Sequence, residues 1–151
     1  MGASLRTVIL AAGAIALGAA RPPAAPNPLT VVVANGPYAG TYHAKADEVV
    51  CLHAKAQRMF AASFKDFDAP TARSFAEGGL KVDNPDAPGA KTGQIYVAFG
   101  TKDKKAVEYD IPNAPITMTV KGKGVDLMGT AKSKDGVLIR VNASCVDIST
   151  M

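Results

Sequence analysis

The chain has 151 residues, of which 48% are hydrophobic and 20% are charged, a composition typical of one globular domain of ordinary size. Its 17 basic and 13 acidic residues give a formal net charge of +4, which is too mild for the dense basic stripe of a nucleic-acid-binding protein. Composition therefore favours a globular protein and gives no reason to expect nucleic acid as a partner.

Residues 1–20 have the pattern of an export signal. Arg6 supplies a positive charge, residues 8–17 form an uncharged apolar run, and residues 18–20 are small enough for a cleavage site. The run is shorter than the ~20 apolar residues that cross a bilayer. The sequence therefore predicts a secreted or periplasmic protein that does not span a membrane once the signal is cleaved. Residues 21–28 contain four prolines and are predicted to form an extended linker.

Residues 29–151 are predicted to form a single β domain, which begins with a β-branched run at 29–34 and an alternating strand at 40–46. Residues 47–64 allow two interpretations. Apolar residues at helical spacing follow Asp47, a suitable N-cap, so a short helix within 47–77 is possible. Two strands joined at 55–58 fit equally well, and the β context on both sides favours them.

The second half of the chain has the regularly spaced alternating segments of a β-meander. Alternating segments at 94–100, 106–111, 115–120, 125–131 and 136–145 are separated by turn signals about every ten residues. The last segment follows Asp135-Gly136, a strong hairpin signal. The sequence therefore predicts an all-β antiparallel sandwich or barrel with a C-terminal meander.

Cys51 and Cys145 are the two cysteines of a chain that carries an export signal. An even number of cysteines in an oxidising compartment predicts a disulfide bond between them. A zinc site is the weaker alternative, because zinc takes four ligands and no Cys-x-x-Cys or histidine pair accompanies these residues.

Signals for catalysis are sparse. No Gly-x-Ser-x-Gly motif surrounds any serine, and no catalytic residue, metal site or cofactor is predicted. His43, Asp47, Glu48 and His53 form the one cluster that resembles an acid–base or metal constellation. They support an alternative function, a small hydrolase or metal-dependent enzyme, provided that the four side chains converge.

A lysine-rich pole is the predicted ligand-binding site. In a meander, successive turns alternate between the two ends of the sheet, so the turns at 102–105 and 121–123 should share one end and 112–115 should lie at the other. This arrangement would attract an anionic partner, such as an acidic glycan, a lipid head group or an envelope protein. The leading functional prediction is a monomeric, exported, non-catalytic binding or structural module of the cell envelope or extracellular space. The residues of the predicted pole are Lys102, Lys104, Lys105, Lys121 and Lys123.

Overall fold

The computed structural model describes residues 27–45 and 47–151, and these residues form ten strands and no helix. The strands are β1 (Leu29–Val33), β2 (Gly40–His43), β3 (Val49–Ala54), β4 (Met59–Lys65), β5 (Phe75–Asp83), β6 (Lys91–Gly100), β7 (Lys105–Lys121), β8 (Gly124–Lys132), β9 (Leu138–Cys145) and β10 (Ile148–Thr150). The all-β prediction is confirmed.

All ten strands belong to one sheet, in the order β10-β3-β4-β5-β6-β7-β8-β9-β1-β2. Strands β3 to β9 are a continuous antiparallel meander, which extends the predicted C-terminal one. β1 then pairs with β9, and β2 pairs with β1. The sheet is mixed rather than purely antiparallel, because β10 runs parallel to β3. β10 follows β9 in the chain but crosses to the other margin of the sheet, so its direction is not set by a hairpin.

The segment that allowed two interpretations forms two strands. β3 and β4 pair antiparallel, with Ala54 opposite Met59 at the turn. Val49 and Cys51 point into the core while Val50 is exposed, an alternation that a helix would not produce. The possible helix within 47–77 is absent from the described residues.

The sheet curls into a half-barrel, so that β1 approaches β4 and β5 across the interior. One apolar core fills this interior, with buried apolar side chains from every strand except the short edge strands β2 and β10. Aromatic rings fill the space between the two sides: Phe99 on β6 stacks on Tyr38 with ring centres 4.6 Å apart and meets Tyr42 edge-on at 4.8 Å. Contacts of this kind contribute beyond the area that they bury.

The predicted disulfide between Cys51 and Cys145 is confirmed. It joins β3 to β9 across five intervening strands, with the two Cα atoms 5.9 Å apart and both residues buried. Asn27 fastens the same side: its side-chain oxygen accepts hydrogen bonds from the backbone of Val146 and Asp147, each 2.9 Å long. The disulfide holds the two sides of the curled sheet together, and the Asn27 hydrogen bonds hold the connection from β9 to β10 against the start of β1.

The predicted turn at 112–115 is wrong, because β7 runs without interruption for 17 residues. Its first part pairs with β6, and its last part, from Ile116 onward, pairs with β8. Pro112 and Pro115 lie where β7 has only β6 as a neighbour. Because no described strand pairs with the other edge of β7 there, the missing N–H groups of these prolines remove no hydrogen bonds to a second strand. Asn113 takes a φ of 55°, and the register with β6 shifts nearby, between Gly93 and Ile95. Such irregularities bend a strand without ending it.

The predicted export signal at 1–20 lies outside the described residues, as does the linker at 21–28 up to residue 26. Asn27 and Pro28 lead directly into β1. Among the residues that the structure describes, no helix is long and apolar enough to cross a membrane.

Candidate binding surfaces

The predicted lysine pole does not form as a single site. Lys102, Lys104 and Lys105 lie where β6 turns into β7, whereas Lys121 and Lys123 lie where β7 turns into β8. These turns are at opposite ends of β7, and a straight strand of that length would span about 50 Å. The pole required a turn at 112–115, and the continuity of β7 removes it.

The histidines and acids of the alternative enzyme hypothesis are not brought together either. His43 is exposed on β2, where its Nδ1 lies 3.1 Å from the Thr30 hydroxyl. His53 lies on β3, packed beside Phe60, with its Nε2 3.4 Å from an Asp86 carboxylate oxygen. Within the described ranges, no three histidine, cysteine or acidic side chains are placed to hold a metal ion.

A broad polar face covers the outside of β2, β1, β9, β8 and the last part of β7. Along β9 the side chains alternate, with Ile139, Val141 and Ala143 buried and the residues between them turned outward. Strand register then aligns the outward side chains in rows across the sheet. The central row is His43, Thr30, Asn142, Met128 and Thr117.

Hydrogen bonds between neighbouring strands orient several groups on this polar face. The Ser144 hydroxyl donates to Asp126 at 2.6 Å, and the Arg140 Nε donates to the Thr130 hydroxyl at 3.3 Å. Lys121 also pairs with Asp126, and this hydrogen bond holds the pKa of the Asp126 carboxyl below its ordinary value. Two shallow depressions of about 490 and 520 Å³ lie on the face and share Thr117 and Met128.

The polar face carries more positive than negative charge. Lys121, Lys132 and Arg140 point outward from β7, β8 and β9, against the single acid Asp126. Since Lys121 is paired with Asp126, the excess charge belongs to Lys132 and Arg140. The face thus combines hydroxyl and amide groups with two cations.

A second exposed surface lies on the outside of β3, β4, β5 and β6. It contains a depression of about 360 Å³ whose centre is lined by small residues, Ala61, Ser63 and Gly79. Two apolar side chains at its border are unusually open to solvent, Val50 at 54% and Phe67 at 64% exposed. This surface is called the β3–β6 face below.

A charged network borders the β3–β6 face. The Lys105 ammonium lies 3.1 Å from carboxylate oxygens of both Glu77 and Glu108 and donates to the Tyr96 hydroxyl at 2.5 Å. The Tyr96 hydroxyl in turn donates to Glu108 at 2.9 Å. These hydrogen bonds raise the pKa of Lys105, so it is cationic at neutral pH, and burial raises the pKa of Tyr96. The network holds the Tyr96 ring in one position at the border.

Sequence reasoning missed both surfaces, although part of the signal was readable. The alternation within β7 and β9 shows which side chains share a face, and it separates Thr117 and Thr119 from the buried Ile116. Alternation within one strand does not tell which strands are neighbours. The pairing of β9 with β1, from opposite ends of the chain, creates the polar rows.

Comparisons with protein-family models, with curated proteins and with solved structures find no match to this chain.

Proposed function

We propose that the protein is an exported, non-catalytic binding module that takes an anionic glycan on the polar face of β2, β1, β9, β8 and β7. The buried disulfide supports export, because such bonds form and persist in oxidising compartments. The N-terminal sequence is of the type that directs secretion.

The observation that carries the proposal is the row of outward polar side chains, His43, Thr30, Asn142 and Thr117, flanked by Arg140 and Lys132. Glycans present many hydroxyl groups, which need donors and acceptors spread over a surface rather than one deep pocket. An acidic glycan also needs cations, and arginine is well suited because its planar guanidinium can bind a carboxylate through two hydrogen bonds.

Binding to such an open face is expected to be weak and sensitive to salt. Exposed charges are screened over ~8 Å at physiological ionic strength, so raising the salt concentration should weaken the complex. A neutral polysaccharide lacks the carboxylates and should bind less well.

The test is an NMR titration of the ¹⁵N-labelled protein with alginate oligosaccharides, which are uronic acids, and with dextran as the neutral comparison. Alginate should shift the backbone resonances of β1, β8 and β9. The double substitution Arg140→Gln/Lys132→Gln should weaken alginate binding at least tenfold, since a hydrogen bond to a charged group contributes ~1.5–3 kcal/mol.

The matched control is Lys102→Gln/Lys104→Gln, which removes the same charge at the distant turn between β6 and β7. It should leave alginate binding unchanged. An equal loss in both double variants would mean that only net charge matters, and shifts confined to other strands would place the glycan elsewhere. Either result contradicts the proposal.

A further inference from the structure

We infer that the β3–β6 face is an interface for a second copy of this chain, related to the first by a two-fold axis that runs parallel to the strands between β4 and β5. The inference rests on the register and charges of this face alone and is independent of the proposed glycan site. It departs from the monomer that the sequence predicts.

The register of the four strands defines two rows across the face. The upper row has Lys65 on β4 opposite Glu77 on β5, followed by Ala98 on β6 and Glu108 on β7. Glu48, next to β3, lines the same depression as Lys65 and lies at the β3 end of this row. The lower row consists of Val50, Ser63, Gly79 and Tyr96.

Charges alternate along the upper row. Lys105 reaches back from β7 and bonds both Glu77 and Glu108, which places its ammonium between them, over Ala98. From β3 to β6 the order of charge is therefore negative at Glu48, positive at Lys65, negative at Glu77 and positive at Lys105.

This alternation is self-complementary under the proposed axis. A two-fold rotation about a line between β4 and β5 exchanges the β3 and β6 ends of the row. It leaves the position of each residue along the strand direction unchanged. Lys65 then faces Glu77 of the second copy, and Glu48 faces Lys105 of the second copy. Each of these four charges meets one of opposite sign, as an isologous interface requires.

The lower row is complementary in shape under the same rotation. Ser63 faces Gly79 of the second copy, so the small residues at the centre allow the two sheets to approach closely. Val50 faces Tyr96 of the second copy, whose ring is held by hydrogen bonds to Lys105 and Glu108. A fixed aromatic side chain loses little conformational freedom on association. The exposed Val50 and Phe67 would leave solvent in the same step.

The size of the β3–β6 face determines how strongly the proposed dimer is expected to associate. Four strands and about five residues measure roughly 19 by 17 Å from strand spacing and rise. A standard interface buries ~800 Å² on each partner, which is more than this patch offers. The dimer should therefore be weak and form only as the protein concentration rises through the micromolar to millimolar range.

The experiment is sedimentation velocity over that concentration range on the purified wild type and two charge reversals, Lys65→Glu and Glu77→Lys. Each reversal places two pairs of like charges across the two-fold axis, so each variant alone should dimerise at least tenfold more weakly than the wild type. An equimolar mixture of the two should associate as strongly as the wild type, because Glu at position 65 of one copy then faces Lys at position 77 of the other.

The control is Lys123→Glu, the same charge reversal at the distant turn between β7 and β8, which should dimerise like the wild type. The mixture also guards against misfolding, since only folded variants can restore association to each other. A wild type that stays monomeric throughout the range overturns the inference. So does a mixture that fails to associate although circular dichroism shows both variants folded.

Discussion

Asp66 shows how one residue joins two parts of the chain. It lies just after β4 and is 6% exposed, yet its carboxylate is charged. Its Oδ1 atom accepts two hydrogen bonds, one from the Lys45 ammonium at 2.9 Å and one from the Asp68 backbone N–H at 2.8 Å. The Lys45 hydrogen bond is the main reason that the pKa of Asp66 lies below its ordinary value. The Lys45–Asp66 contact joins the loop between β2 and β3 to the turn after β4.

This contact predicts a pH dependence of stability. Because the pKa of Asp66 is lower in the folded state, its stabilisation is complete above the unfolded value of ~3.9 and is lost as the pH falls through the folded pKa. We expect Asp66→Asn to be less stable than the wild type near neutral pH and to lose less stability on acidification. Urea denaturation between ~pH 7 and ~pH 2 measures both.

Asp103→Asn, in the exposed turn between β6 and β7, is the control for removing one carboxylate, and it should follow the wild-type curve. An Asp66→Asn curve that runs parallel to the wild type over the whole range would contradict the assignment.

At the scale of elements, β7 determines the shape of the molecule. It is the one strand that pairs with β6 over its first part and with β8 over its last part, so it connects the two sides of the half-barrel. The change of partner occurs beside Gly93 on β6, which lies between Val82 on β5 and Ala114 on β7. A Cβ atom at Gly93 would lie 1.7 Å from the Lys81 carbonyl oxygen. The strands approach this closely only because residue 93 has no side chain.

We therefore expect Gly93→Ala to lower the free energy of unfolding by about 3 kcal/mol, at the upper end of the cost of overpacking a core. Gly129→Ala on β8 is the matched comparison, because its added methyl meets the tip of the Ile95 side chain at 2.9 Å rather than backbone. A side chain can move aside, so this variant should cost less. Thermal denaturation compares the two, and equal losses would contradict the explanation.

The whole molecule depends on how its curled sheet is closed. The margins carry β10 and β2, and neither margin pairs with the other. Closure instead comes from the disulfide between β3 and β9, from the crossing of the chain into β10 and from the Asn27 hydrogen bonds. The disulfide spans 94 residues of sequence, so it removes much conformational freedom from the unfolded chain.

In the chain-entropy description, a loop of this length corresponds to about 4–5 kcal/mol. We expect the double substitution Cys51→Ala/Cys145→Ala to lower the free energy of unfolding by that amount, a large part of the ~5–15 kcal/mol of an ordinary domain. Urea denaturation of the oxidised wild type and the double variant gives the difference. A loss below ~1 kcal/mol would show that β10 and Asn27 suffice to close the sheet.

The sequence by itself determined the features that depend on neighbouring residues. Alternation of period two predicted the all-β class and most strands of the meander, and it favoured strands over a helix at β3 and β4. The number of cysteines together with the export signal predicted the disulfide between Cys51 and Cys145. Each of these conclusions needs only local pattern or counting.

Tertiary structure decided what depends on distant parts of the chain. Pro112 and Pro115 are strong turn signals locally, but packing of β7 against β6 and then β8 carries the strand through them. That single difference separates Lys105 from Lys121 and removes the predicted pole. The polar face and the charge row exist because register aligns side chains from separate strands, and register is set by burial on the opposite side of the sheet.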